Sequence, residues 1–172
     1  WIAGVNALFT VEFYRTARAR LGPGGVFCQW VQLFELSPTT VSTIIGSLRE
    51  VFPKLLLIES GADLICVAGR DATPRIAAHL SDRMAPEAIR TDLASIGVQT
   101  PEDLVVRVID DDTTTVTPPS LNTDDNGYVE FHAPLELPAF LGSAAWAPIA
   151  ARCDGAASPP FAERSAANPS PP

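Results

Sequence analysis

The sequence predicts an α/β fold on three observations. Apolar residues recur at helical spacing between Val41 and Phe52, a strand-like run lies on either side of that helix, and another strand-like run follows the second at once. The order helix, strand, helix, strand, strand is that of the end of a sheet whose faces are covered by helices. With 172 residues and 47% apolar composition the chain can fill one core.

Each element has a local reason. Thr10 can cap a helix whose Phe13, Tyr14, Ala17 and Leu21 share one face, and Gly22-Pro23-Gly24-Gly25 stops it. Val26 to Leu33, VFCQWVQL, is rich in β-branched and aromatic residues and reads as a strand. Ser37 then caps, and Pro38 opens, a helix with Val41, Ile44, Ile45, Leu48, Val51 and Phe52 on one side. After Pro53 the runs KLLLIE and LICVAG, joined by a short turn at Ser60 to Asp63, predict an antiparallel hairpin. One helix-linked strand pair plus a hairpin leaves a long exposed edge, so partner strands are expected upstream of Trp1. That the first residue is Trp1 and not methionine also suggests a fragment or a processed chain.

Beyond Arg70 the pattern changes to short helices. Pro86 to Ile96 places Ile89, Leu93 and Ile96 on one face with Gly97 as the stop, and Thr100-Pro101-Glu102-Asp103 is a helix start with acid in its first turn. Thr113 to Ser120 reads as an extended linker, and YVEFHAP, Tyr128 to Pro134, as a closing strand. The organisation is therefore 1–70, the sheet-bearing part; 71–138, a helical addition and closing strand; and 139–172, an Ala/Ser/Pro-rich tail, with Ser143 to Pro172 expected to be mostly disordered.

Charge narrows the function classes. The formal net charge of −8 argues against a nucleic-acid surface, since phosphates would be repelled and no basic stripe offsets the field. Between Pro101 and Glu136 nine acidic residues face a single arginine, Arg107, so a cationic partner or substrate would be drawn there; the plain alternative is a surface that only confers solubility. Cys28, Cys66 and Cys153 form no CxxC pair and have no histidine at metal-ligand spacing, so no metal is expected and a reduced, cytoplasmic setting fits. Cys28 and Cys66 lie in apolar runs, where a free cysteine behaves as a small buried hydrophobe. No apolar run reaches the roughly 18 to 20 residues needed to span a bilayer, and no leader opens the chain.

Few residues carry a chemical signal. His79 and His132 have no nucleophile or carboxylate at a telling spacing and read as surface or strand residues. Gly22-Pro23-Gly24-Gly25 follows a helix and precedes a strand, the reverse of a phosphate loop. Asp110-Asp111-Asp112 is placed by the pattern at a helix C-terminus, where carboxylates unwind the end or attract a cation. Gln29 and Gln32 stand toward the carboxyl end of the first strand, where open α/β sheets bind ligands, and an amide suits an amine or a carboxylate; pairing with backbone in the following loop is the other reading. NTDDNG, Asn122 to Gly127, lacks the alternating ligands and distant glutamate of a calcium loop. It reads as a structured turn, with an amine-site lining as the alternative.

The stretch WIAGVNALFTVEFYRTARARLGPGGVFCQWVQLFELSPTTVSTIIGSLREVFP, followed by the hairpin and LNTDDNGYVEF, resembles the C-terminal half of the spermidine synthase-like proteins, the polyamine aminopropyltransferases. The resemblance covers about Trp1 to Pro138. GPGGVF is common to the wider group of S-adenosylmethionine-dependent methyltransferase folds, whereas the CQW run, the SP-capped helix and NTDDN point more narrowly.

The resemblance implies the C-terminal half of a Rossmann-like, methyltransferase-type sheet, its last three strands ending in an antiparallel hairpin, with a small helical addition. It implies transfer of an aminopropyl group from decarboxylated S-adenosylmethionine to a diamine. The family's nucleotide loop, ribose-binding acid and catalytic aspartate all precede the position matching Trp1, so no catalytic residue is assigned within this chain. Gln29 matches the glutamine of the CQ element and becomes a candidate amine contact, with Gln32 beside it. The family's tyrosine near the sixth strand has no counterpart in LLLIESGADLI, where Glu59 is a candidate contact for a cationic substrate instead. Two alternatives stand beside this reading: a methyltransferase using S-adenosylmethionine on another small acceptor, and a noncatalytic soluble domain tethered to a membrane through an upstream region. Oligomeric state is left open.

Overall fold

In a computed structural model, residues 4–60, 62–74, 80–105, 108–110 and 118–140 are described. Val5–Phe9 forms a short 3-10 helix, and α1 (Val11–Arg20) follows it. Thr10 caps α1 as expected, its side-chain oxygen accepting from the Phe13 N–H at 3.3 Å. After the glycine-rich stop comes β1 (Val26–Gln32), then α2 (Pro38–Val51), whose cap Ser37 accepts from the Thr40 N–H at 3.0 Å. Pro38 sits in the first turn, where its missing N–H has no helical partner to lose.

The hairpin is β2 (Leu55–Ser60) and β3 (Asp63–Gly69), antiparallel as its two apolar runs predict. β3 also pairs antiparallel with β1, from Val26 opposite Gly69 to Gln32 opposite Asp63. β1 and β2 therefore run the same way on either side of β3, joined by α2. A fourth strand, β4 (Val108–Asp110), adds to β2, so the sheet order is β1-β3-β2-β4. Between β3 and β4 lie α3 (Leu80–Met84), α4 (Glu87–Ser95) and α5 (Pro101–Val105). The last element is α6 (Tyr128–Phe140).

Directly opposed residues in an antiparallel pair share a face. One face of the sheet thus carries Phe27, Gln29 and Val31 beside Ala68, Cys66 and Leu64, with Leu55, Leu57 and Glu59 beyond them. This face meets the helices: Phe27 stacks on Phe52 at 5.6 Å between centroids and lies edge-on to Phe13 and Tyr14 of α1. Around it Val41, Ile44, Ile45 and Leu48 of α2, with Leu55, Leu57 and Leu64, are fully enclosed. Each aliphatic side chain so buried stabilises the fold by about 1.5–3 kcal/mol before entropy is subtracted.

Four expectations are corrected. Tyr128 to Pro134 is helical, not a strand, because the preceding turn supplies its first N–H groups with acceptors and because its buried residues, Val129 and Ala133, are four apart. Both Pro134 and Pro138 are accommodated within that helix. Asp110 ends a strand opposite Leu57 and not a helix, since α5 stops at Val105 and the β-branched Val108-Ile109 pairs with the edge of β2. The sheet is not covered on both faces at β1: Val26 and Trp30 are about half exposed among the described residues. For the same reason Cys28, on that open face, is exposed, whereas Cys66 on the helix-covered face is fully buried.

Ser143 to Pro172, His79, Cys153, Arg107, Asp111, Asp112 and most of the Thr113 to Ser120 segment lie outside the described residues.

Candidate functional site

The carboxyl ends of β1 and β2 are the place to build from, because two strands running the same way bring their ends to one side of the sheet. Register sets what meets there. Gln32 of β1, Asp63 of β3 and Ser60 of β2 are direct neighbours in one row, on the face opposite the helices. An amide, a carboxylate and a hydroxyl in line offer donors and acceptors, and one negative charge, to a small polar molecule. Trp30 stands one row back on the same face and is about half exposed, with Asp63 at a diagonal position across the strand pair.

Gln29 does not join this row. Three positions separate it from Gln32, so the pleat sends the two amides to opposite faces. Gln29 shares the helix-side face with Glu59, but β3 lies between their strands and the register offsets them by two residues. Strand spacing and rise alone separate them by about 12 Å. The three residues singled out in the sequence are therefore not brought to one point. Glu59 is partly buried on β2. Both glutamine side chains donate locally, Gln29 Nε2 to the Trp30 carbonyl at 3.1 Å and Gln32 Nε2 to the Phe34 carbonyl at 3.3 Å. The second of these is the backbone pairing in the following loop that the sequence leaves open.

That loop holds a conformational feature which residue pattern does not disclose. Glu35 has φ of 61°, the left-handed region that a non-glycine residue occupies at a cost of order 1 kcal/mol. It lies between Leu33, whose N–H donates to the Ala62 carbonyl at 2.8 Å, and Leu36, which is fully buried. The loop that follows Gln32 is thus anchored on both sides of Glu35.

The NTDDNG segment resolves into a structural knot of hydrogen bonds. Asn126 Oδ1 accepts from the Thr123 and Tyr128 N–H groups, both at 3.0 Å, and Asn126 Nδ2 donates to the Leu121 carbonyl at 2.8 Å. Asn122 Oδ1 accepts from Val129 N–H at 3.0 Å, so two asparagines cap α6 between them. The backbone of Asn122 ties the turn to the body, its N–H donating to Ser47 Oγ of α2 and its carbonyl accepting from Val11 N–H of α1. Gly127 has φ of 48° and is buried close to Phe131, which suits glycine. Asp124 and Asp125 are exposed, and the Asp124 N–H donates to Glu12 of α1. Just before this turn, Pro118 lies so close to Gly46 that any β-carbon there would collide with its ring.

A second group of polar side chains, missed at the sequence level because 128–134 reads as a strand, lies along α6. The Tyr128 and His132 rings stack at 3.8 Å, His132 Nδ1 lies 2.8 Å from the Tyr128 carbonyl, and Thr40 Oγ1 of α2 donates to Glu136 at 2.6 Å. Partial burial, then the nearby Glu136 carboxylate, raises the Tyr128 phenol above its ordinary value. Tyr128, His132 and Glu136 share a helix face only at a spacing of four, a signal available once the segment is read with helical period.

Among the described residues no group of three or more histidine, cysteine, aspartate or glutamate side chains is arranged to hold a metal. Nor is any described helix long and apolar enough to cross a membrane. In comparisons with known proteins, no family model, no curated protein and no solved structure matches the chain.

Proposed function

We propose that this chain is the C-terminal part of a spermidine synthase-like transferase, which moves an aminopropyl group from decarboxylated S-adenosylmethionine to a diamine. The observation that carries the reading is the path of β1, α2, β2 and β3. Two strands running the same way are joined by a helix, and the chain ends that motif with an antiparallel hairpin. A helical crossover between strands of one direction is the unit from which α/β nucleotide enzymes are assembled, and it agrees with the last three strands the resemblance implies. CQW in β1 and NTDDN before α6 support the narrower assignment.

In this reading the diamine lies at the carboxyl ends of β1 and β2. The Asp63 carboxylate attracts its ammonium end, while Gln32 and Ser60 supply neutral hydrogen-bonding partners in the same row. Gln29, the residue matching the family's glutamine, sits in mid-strand on the other face of β1 with its amide donated to the Trp30 carbonyl, and Glu59 shares that face, so neither reaches a diamine held in this row. A diamine must lose a proton before it displaces the sulfonium-linked carbon, because a protonated amine has no lone pair. The group taking that proton and the residues holding the nucleoside are expected in sequence preceding Trp1.

The test is product analysis with the full-length protein that contains this chain. Incubation with decarboxylated S-adenosylmethionine and putrescine is expected to release methylthioadenosine in a diamine-dependent manner. Formation of S-adenosylhomocysteine from S-adenosylmethionine instead would replace the proposal with a methyltransferase. Absence of calorimetric binding to either nucleoside would replace it with a noncatalytic domain.

A further inference from the structure

We draw no further inference here: the strongest candidate, the exposed apolar stripe of Val26, Cys28 and Trp30 along the open face of β1, carries nothing because no feature of the structure shows what covers it.

Discussion

α2 and α4 are both amphipathic in sequence, yet α2 buries ten of its fourteen residues and α4 buries none among the described residues. The difference lies in what surrounds them. α2 packs against the sheet and α1, the Pro118 to Asn122 strap lies against Gly46 and Ser47, and Glu136 of α6 accepts from Thr40, so even Thr40, Thr43 and Ser47 are enclosed. α4 leaves Ile89 at 43% exposure, and Ile96, which ends the helix, is at 59%. Periodicity shows which side of a helix is apolar; it does not show whether another element is there to receive that side.

Substitutions along the two helices measure the contrast. The largest effect is expected for Leu48→Ala in α2, where a fully enclosed side chain leaves a cavity and denaturant unfolding should show a loss of about 2–5 kcal/mol. High pH should act on the same core. Burial, then the charge of Cys28, pushes the Cys66 thiol from 9.0 up to about 12, with Arg49 opposing in part. Above pH 9 the unfolded chain therefore releases this proton while the folded chain keeps it, so stability falls as pH rises through that window, by about 1.4 kcal/mol per unit. Cys66→Ala should flatten the decline from about pH 9, before the larger part of the contribution of the buried Tyr14, raised by desolvation and then by Cys66, sets in above its ordinary value of 10.0. If the slope is unchanged, the thiol is not in the water-free environment that sets α2 apart from α4.

The turn that straps α2 should give an intermediate effect. Asn122→Ala removes the acceptor for the Val129 N–H and is expected to cost about 0.5–2 kcal/mol, whereas Asp124→Ala, an exposed side chain in the same turn, should stay within about 0.5 kcal/mol. Asp124→Ala would also test the alternative role of this turn, because a lowered diamine affinity at unchanged melting temperature would move NTDDN from scaffold to site. The smallest effect belongs to Ile89→Ser in α4, expected within about 0.5 kcal/mol. A loss comparable to that of Leu48→Ala would mean that α4 has a partner, and the comparison would collapse.

The most legible parts of the fold in the sequence were those whose signals are local. Thr10 and Ser37 are caps because a side-chain oxygen three residues before an N–H can reach it in one geometry, and Pro53 and the Ser60 to Asp63 turn delimit their strands by backbone chemistry. Tyr128 to Pro134 misled for the opposite reason. Its aromatic and β-branched residues and its proline favour a strand, but caps from Asn122 and Asn126 and burial of Val129 and Ala133 outweigh that preference. The candidate site was legible only in part. Gln29 and Gln32 were visible as polar residues in an apolar run, but the insertion of β3 between β1 and β2, which aligns Gln32 with Asp63 and Ser60, is a long-range pairing that no single stretch encodes.

That inserted strand has a consequence for how the protein is made. β3 is the middle strand of the first three in space but the last of them in sequence. As the chain leaves the ribosome, the edge of β1 that faces β3 stays open while α2 and β2 are synthesised. β3 closes that edge of β1 and the facing edge of β2 together. Slow translation between Gln32 and Asp63 would lengthen the time in which β1 is available to other nascent chains, making this interval a point of vulnerability to co-translational aggregation.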